Sequence, residues 1–508
     1  MITVSPRSKT INRPRRNADR TDMSDLTREI WKIVLMNKDD PAIYYQEASS
    51  SLVHLHSEKS GALTIVSATP ASVAFLLSDI IDFYREKPVS RSKNASMIEV
   101  PAKPPIDLVQ MILGNPPQEV PRLKGITNIP YFTKTGYLVE KPGYNEESGL
   151  YLKQIVDVPP ISSNPTSIEV FRALKTIYRV MRDFPFESNA DRANLLAMML
   201  LFVAREMIDG PTPIHLIEAA TPGTGKSLVV QALMTPLLGM APTMQAEPKD
   251  DAEWAKVIGS ALLSGERMFV VDNINNALMS GTLSNAAVAY RFSTRALGYN
   301  KSIKGEIKWV WVMTGNNVKA SMEVARRIVR CRMVAPAERP WERDQKSFHI
   351  PKLMGWVDRN SDLLCWSALT LVQAWVKAGM QGGKANLGSY ERWAEVMSGI
   401  LDCINVKGFL NNINESFDDI AEETASWSDF VKVWWDQHTN ALHPARDLYD
   451  LLAINGIDLG LHGDSDAARM ASLAKMLGLQ KDKVFDQYRI IKGKGRNRRM
   501  WQLEKVIV

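Results

Sequence analysis

Residues 219–227 read AATPGTGKS, and this stretch decides the fold. The apolar residues 214–219 before it predict a buried strand, and residues 228–238 after it predict a helix. Glycines in such a loop let backbone N–H groups curl around phosphate oxygens, and the dipole of the following helix favours the same anions. The stretch therefore predicts a P-loop that binds ATP, with a glycine-rich turn that holds no ligand as the alternative.

Each residue of the predicted P-loop has an expected role. Lys226 is expected to reach the β- and γ-phosphates of ATP from an exposed position, and Ser227 to bind Mg²⁺. The usual pattern begins with Gly where this chain has Ala220, which fits only if the φ angle there is negative. The predicted nucleotide-binding residues are Thr221, Pro222, Gly223, Thr224, Gly225, Lys226 and Ser227.

Residues 268–273 read MFVVDN, an apolar strand that ends in an acid and is typical of a Walker B strand. It predicts that Asp272 lies beside the P-loop and holds Mg²⁺ through water. Asn273 stands where many ATPases of this kind have Glu. An amide can orient a water molecule but cannot take its proton, so the identity of the catalytic base stays open.

Residues 309–317 read WVWVMTGNN, a strand that ends in a Thr-x-Asn pattern typical of sensor 1. Asn316 is then expected to contact the γ-phosphate or the attacking water. The alternative is a polar turn after a core strand. The order of the motifs along the chain favours the sensor.

Arginines follow the predicted sensor. Arg327 is our candidate for a finger that stabilises charge on the γ-phosphate of a neighbouring subunit, with Arg326 as the second choice. Arg330 and Arg332 alternate with apolar residues, so they are interpreted as the solvated face of a strand.

These motifs, together with the FPF sequence at 184–186, RALG at 295–298 and PWER at 340–343, resemble the AAA+ ATPases of phages and mobile genetic elements. Those proteins are similar to superfamily 3 helicases and often accompany a primase. The resemblance covers most of the chain, and the Asp-Asn pair at the end of the Walker B strand is typical of the group. No primase constellation of paired acids and His is present in the N-terminal third, so priming activity is not implied.

The resemblance implies Mg²⁺-dependent ATP hydrolysis in a ring oligomer, expected to be a hexamer, with DNA and a primase or other replication proteins as partners. It also implies a DNA-contacting hairpin before sensor 1, with Lys301 and Lys304 as candidate DNA-binding residues and Lys308 nearby. Lysines at such a hairpin can follow a phosphate backbone, although an exposed loop with ordinary lysines is the alternative.

The C-terminal segment predicts helices followed by a hairpin. Ser465 is expected to cap a helix that ends at Gly478, and residues 488–491 and 500–503 are expected to pair as strands. We call the cluster at the predicted turn the basic tip: Lys492, Lys494, Arg496, Arg498 and Arg499. Helices followed by a basic hairpin resemble a winged-helix domain that binds duplex DNA, and a structural cap with a soluble tip is the alternative.

Composition limits the class of protein. The chain has 508 residues and a formal net charge of +6, too long for one hydrophobic core. The first twenty residues are polar and Arg-rich, which predicts a disordered arm that either binds nucleic acid or is simply solvated. The apolar run 195–204 is too short to span a bilayer, and Cys331, Cys365 and Cys403 are scattered, so the sequence predicts a cytoplasmic protein without a membrane partner.

The sequence thus predicts an α/β fold: a three-layer P-loop AAA+ core with a parallel sheet, a helical lid, an N-terminal α+β accessory domain and a C-terminal winged helix. The predicted function is an ATP-dependent DNA helicase or translocase of a phage, plasmid or integrated mobile element. The alternatives are an ATP-switched initiator that assembles on DNA without unwinding it, and a non-enzymatic DNA-binding protein. The predicted boundaries are a disordered basic arm at 1–22, the accessory domain at 23–160, the ATPase core at 161–345, the lid at 346–439 and the winged-helix-like domain at 440–508.

Overall fold

The computed structural model describes residues 13–506 except 39, 60, 92–95, 296–301, 336, 421, 464 and 495–498. The chain divides into two compact units. The first unit comprises Met1–Ile274, Ser280–Asn316 and Val329–Asn411, and the second comprises Asn275–Met279, Asn317–Ile328 and Asn412–Val508.

The N-terminal third of the first unit is a mixture of short strands and helices. Its elements are β1 (Arg15–Asn17), α1 (Met23–Val34), β2 (Tyr44–Gln46), β3 (Ser51–Ser57), β4 (Leu63–Ser67), α2 (Pro70–Ile80), β5 (Asp82–Pro88), β6 (Met97–Pro101), α3 (Ile106–Gly114), β7 (Gly125–Thr127), β8 (Tyr131–Phe132), β9 (Leu138–Val139), β10 (Gly143–Asn145) and β11 (Leu150–Leu152). Strands β1, β5 and β6 form one small sheet, and the buried faces of α1, α2 and α3 share one apolar core. This region belongs to the same compact unit as the central sheet, so the boundary predicted at residue 160 does not separate two units.

Two predictions for this region are wrong. The sequence predicts disorder through residue 22, whereas β1 pairs in parallel with β5. Ion pairs explain the order, because Arg16 and Arg20 both reach the carboxylate of Glu29 on α1, at 3.0 and 2.7 Å. The pair Thr69-Pro70 also predicts a helix that runs to about Tyr84, but this helix ends at Ile80 because the chain continues as strand β5.

The middle of the chain alternates helices and strands. Its elements are α4 (Ser167–Met181), α5 (Asn189–Ala204), β12 (Ile214–Ala219), α6 (Lys226–Leu238), β13 (Met244–Gln245), α7 (Asp251–Ser264), β14 (Met268–Ile274), α8 (Gly281–Val288), β15 (Arg291–Arg295), β16 (Ser302–Glu306), β17 (Val310–Gly315), α9 (Met322–Ala325) and β18 (Ile328–Met333). Five strands form the central sheet in the order β13-β14-β17-β12-β18, and β13, β14, β17 and β12 pair in parallel.

The central strands are continuous apolar runs because both faces of the sheet are covered. Every residue of β12 and of β17 is buried. The rings of Phe269, Trp309 and Trp311 pack against one another at ring-centroid distances of 5.1 to 5.5 Å, with Phe269 and Trp309 stacked and both edge-on to Trp311. A parallel sheet between helices requires burial on both faces. The sequence pattern, in which continuous apolar strands alternate with helices, therefore predicts this sheet correctly.

The C-terminal third is helical and then ends in a small sheet. Its elements are α10 (Leu353–Arg359), α11 (Ser361–Lys377), α12 (Glu391–Cys403), α13 (Ile413–Ile420), α14 (Glu422–His438), β19 (His443–Pro444), α15 (Ala445–Asn455), α16 (Asp466–Leu479), β20 (Val484–Phe485), β21 (Tyr488–Lys494) and β22 (Arg499–Lys505). Ser465 caps α16 as expected, and β21 and β22 form the expected hairpin in a sheet of order β19-β22-β21-β20.

The second unit begins earlier than the sequence predicts. The predicted boundary lies at residue 440, whereas α13 and α14 belong to the second unit from Asn412 onward. Trp427 and Trp434 on α14 are buried in one apolar core with Leu448, Leu473 and Ile490. The Trp and Phe residues of α14 therefore complete the core of the C-terminal unit.

Among the residues that the structure describes, none of the helices combines the length and the apolar character needed to cross a bilayer.

Candidate nucleotide-binding site

The glycine-rich loop at 220–225 connects the carboxyl end of β12 to the first residue of α6. Gly223 and Gly225 adopt φ angles of +75° and +102°, which only glycine reaches without strain. Ala220 is not among the residues with positive φ, so alanine is compatible with the first position of the loop. The loop therefore has the backbone φ angles that a P-loop requires.

Sheet order brings the other predicted motifs to this loop. Strand β12 lies between β17 and β18, and β14 lies on the far side of β17. Because β12, β14 and β17 run parallel, their carboxyl ends meet at one edge of the sheet. In open α/β sheets, ligands bind in the crevice outside this edge.

Asp272 connects the ends of three elements at this edge. Its Oδ1 accepts hydrogen bonds from Ser227 Oγ on α6 and from Thr314 Oγ1 on β17, both at 2.6 Å. The Thr314 hydroxyl in turn accepts a hydrogen bond from the backbone N–H of Asn273 at 2.9 Å. Bonds that place an ionised carboxylate as acceptor are the strong ones, so this network fixes the orientation of Asp272.

A β-bulge lies at the same point. The register between β14 and β17 shifts between Val271 and Ile274, and Asn273 takes a φ angle of +60°. Asparagine tolerates this left-handed conformation better than most residues. The exposed position of Asn273 at the sheet edge follows from this bulge, and bulges of this kind often re-aim a side chain beside an active site.

Lys226 folds back onto the predicted sensor. Its Nζ donates to Asn316 Oδ1 at 2.7 Å, and the residue is only 8% exposed. The sequence predicts an exposed lysine here, and this prediction is wrong because the bond to Asn316 draws the side chain over the sheet edge. Burial lowers the pKa of Lys226 below its usual 10.5, while Asp272 and Glu218 act in the opposite direction.

The residues at this edge fit a magnesium ion. Magnesium prefers oxygen ligands and commonly takes one or two protein ligands besides water and substrate phosphates. Ser227 Oγ and Asp272 Oδ1 are such oxygens and lie 2.6 Å apart. Within the described part of the chain, no cluster of three or more His, Cys, Asp or Glu side chains offers an alternative metal site.

The two arginines of β18 lie near a buried acid. Arg330 is 3% exposed, and its Nη1 lies 3.3 Å from a carboxylate oxygen of Glu218, which is itself buried on β12. Arg332 approaches the same oxygen at 3.9 Å. The prediction of a solvated strand face is wrong for Arg330, because the buried acid of the neighbouring strand requires a buried cation, whereas Arg332 is partly exposed.

The two candidate finger residues differ in exposure. Arg327 is 6% exposed, whereas Arg326 is exposed. Both lie between the end of α9 and the start of β18. A guanidinium that acts on a neighbouring subunit must be accessible, so exposure favours Arg326 over the first choice from sequence.

The candidate DNA-binding residues fall partly outside the described chain. Strands β15 and β16 form an antiparallel hairpin directly before β17, and Lys304 is exposed on it. Lys301 lies outside the described residues. Lys308 is not available to DNA, because it lies 3.8 Å from Glu206 in a buried ion cluster, and burial lowers its pKa to about 8.

The basic tip is described in part. Lys492 is exposed at the end of the β21–β22 hairpin. Arg496 and Arg498 lie outside the described residues, as do the side chains of Lys494 and Arg499.

Sequence reasoning missed the role of Thr314. The Thr-x-Asn pattern that begins at Thr314 is recognisable in the sequence. Only the register of β14 against β17 shows that the Thr314 hydroxyl contacts both Asp272 and the backbone of Asn273. A buried Thr at the end of an otherwise apolar strand is the one signal that the sequence offered.

No protein-family model matches this sequence. No curated protein matches it either. Solved structures that resemble the chain include the apo C-terminal region of NrS-1, with 10% identity, 94% of this chain and 98% of that chain covered, and a TM-score of 0.40. They also include the active helicase Cch of SCCmec type IV (11% identity, 92% and 94% covered, TM-score 0.36) and JCV helicase (12% identity, 49% and 73% covered, TM-score 0.23).

Proposed function

We propose that this chain is an ATP-hydrolysing DNA helicase or translocase of the AAA+ type. The observation that carries the proposal is the convergence of Ser227, Asp272 and Thr314 through two 2.6 Å hydrogen bonds, beside a glycine-rich loop at the carboxyl edge of a parallel sheet. This convergence supports a magnesium-binding role for Ser227 and Asp272, next to backbone groups suited to phosphate. A glycine-rich turn that holds no ligand would not explain the ordered hydrogen bonds that join Ser227, Asp272 and Thr314.

The proposed chemistry assigns a task to each side chain. Ser227 and Asp272 would hold Mg²⁺, which when bound neutralises charge on the β- and γ-phosphates. Lys226 would exchange its bond with Asn316 for one with the γ-phosphate. Asn316, released from the lysine, could then orient the attacking water, as could the exposed amide of Asn273.

Assembly into a ring, expected to be a hexamer, is part of the proposal. Support comes from the exposed Arg326, which could act on the nucleotide of a neighbouring subunit. Mixing Lys226→Ala subunits with Arg326→Ala subunits should restore some ATPase activity, because one mixed interface pairs an intact loop with an intact finger. The same mixture made with Arg327→Ala tests Arg327, the finger that the sequence predicts. Absence of rescue with both variants, in rings shown by mass to be mixed, would contradict a finger in trans.

DNA is the proposed partner of the β15–β16 hairpin and of the C-terminal unit, which we propose is a winged helix. Lys304 and Arg122 line a surface cavity of about 380 Å³, in whose wall Tyr45 also lies; Arg291 lines it too but is ion-paired there with Glu47. Phosphate groups are recognised by such clusters, and an aromatic ring can stack on a base. Partnership with a primase and an origin in a phage or mobile element remain predictions.

The decisive experiment is a forked-duplex unwinding assay with ATP, run beside a non-hydrolysable analogue and the Lys226→Ala variant. We expect strand displacement only with ATP and the unchanged chain. DNA-stimulated hydrolysis without displacement would favour the second candidate, an initiator that ATP switches on DNA. Absence of both ATP binding and hydrolysis would overturn the proposal.

A further inference from the structure

Trp341 is a large aromatic side chain that the fold leaves exposed. It belongs to a short 3₁₀ turn, Pro340–Glu342, and is 59% exposed although the preceding Pro340 is buried. Exposed tryptophan contributes little to folding, because its apolar surface stays in water. Its position beside the glycine-rich loop calls for another explanation.

The indole of Trp341 packs directly on the backbone of Gly223. A Cβ atom at Gly223 would lie 3.0 Å from Trp341 Cε3 and 3.2 Å from Trp341 Cβ. Phe184 covers the second glycine in the same way, 3.0 Å from a Cβ placed at Gly225, but Phe184 is buried. Of these two aromatic rings, only Trp341 also presents a surface to solvent.

A triphosphate held by the loop must leave its nucleoside just outside the loop. Trp341 touches the loop and is accessible there, and Leu228, two residues after Lys226, is also 39% exposed. Stacking on an aromatic ring stabilises any base, because every base has a π-face. A base that stacks on Trp341 would be held by its face, so that its edges need not be read.

We propose that Trp341 is the base-binding platform of the site and stacks on the purine of a bound nucleoside triphosphate. The inference rests on the proposed function, since it requires that the loop binds the triphosphate. It goes further, because it assigns the affinity for the nucleoside to one residue and predicts weak discrimination between ATP and GTP.

The test compares ATP with inorganic tripolyphosphate, which has the phosphates but no base. Binding of both to the full chain is measured by calorimetry with Mg²⁺, with a non-hydrolysable analogue in place of ATP so that turnover adds no heat, for the unchanged protein, Trp341→Ala and Trp341→Phe. We expect Trp341→Ala to lose about tenfold to hundredfold in affinity for ATP and none for tripolyphosphate. Trp341→Phe should keep most of the ATP affinity because it keeps a π-face.

Two variants serve as controls. Phe171→Ala removes an aromatic ring that is 66% exposed on α4 and should change neither affinity. Trp341→Leu keeps apolar packing on Gly223 without a π-face, and should show the same selective loss of ATP affinity. It replaces Trp341→Ala in the comparison if the alanine variant folds poorly.

Three outcomes would overturn the proposal. Equal losses for ATP and tripolyphosphate in Trp341→Ala and Trp341→Leu would mean that Trp341 only shapes the loop, while the proposed function stands. Equal affinity of the unchanged protein for the two ligands would mean that no base-binding surface exists. Binding of neither ligand by the unchanged protein would instead refute the proposed function itself.

Discussion

Removal of the Thr314 hydroxyl tests whether the hydrogen-bond network of Asp272 serves the site. Thr314→Val keeps the shape of the side chain and deletes only the hydroxyl. That hydroxyl donates to Asp272 at 2.6 Å, accepts from the N–H of Asn273 at 2.9 Å, and belongs to a residue that is 1% exposed. Water cannot easily replace it at such a buried position.

The expected magnitude follows from the two lost bonds. A hydrogen bond to a charged group contributes about 1.5–3 kcal/mol and a neutral one about 0.5–1.5 kcal/mol. We expect the free energy of unfolding to fall by about 2–4 kcal/mol. Activity should fall by about 10- to 100-fold, as is usual when a group that orients a metal ligand is removed.

The assay measures ATP hydrolysis against Mg²⁺ concentration, together with urea unfolding. The valine variant should require more Mg²⁺ for half-maximal activity, because Asp272 is no longer held toward Ser227. Thr314→Ser is the matched control, since it keeps both hydrogen bonds and loses one methyl group. Wild-type Mg²⁺ dependence in a well-folded valine variant would refute the reasoning, and equal losses in the serine variant would point to methyl packing instead.

Three further predictions concern other parts of the chain. Lys226→Ala should abolish ATP turnover but change the free energy of unfolding by no more than about 1 kcal/mol, because the lost bond to Asn316 is offset by relief of a buried charge; turnover near the wild-type rate would rule out the loop assignment. Changing all residues of the basic tip to Ser should flatten the plot of log DNA affinity against log salt by roughly one unit per lost phosphate contact, with DNA-free ATPase unchanged; an unchanged slope in a folded variant would exclude DNA contact there. For Lys308, whose pKa falls from 10.5 to about 8 on folding, the unfolded chain binds more protons between these pH values, so the wild type should gain about 3 kcal/mol over Lys308→Met as pH rises through this window; urea unfolding across that range checks this, and parallel pH profiles would contradict it.

The fold of the central region was accessible from sequence because its signals are local. The strand before the loop, the helix after it and the apolar runs at 268–271 and 309–313 each follow from the residues in one short segment. The β21–β22 hairpin and the helix capped by Ser465 were predictable for the same reason. Boundaries were less accessible, since the assignment of α14 to the C-terminal unit depends on which distant side chains its Trp residues meet.

The sequence by itself determined the chemistry of the candidate site: a glycine-rich loop with Lys226 and Ser227, an acid after one strand and an amide after another. Only the tertiary structure decided how these groups pair. The bonds of Thr314 to Asp272 and of Lys226 to Asn316, like the contact of Trp341 with the loop, join segments that are distant in the chain. Such pairings depend on the order and register of strands in the sheet, which long-range packing sets and which no local pattern of residues encodes.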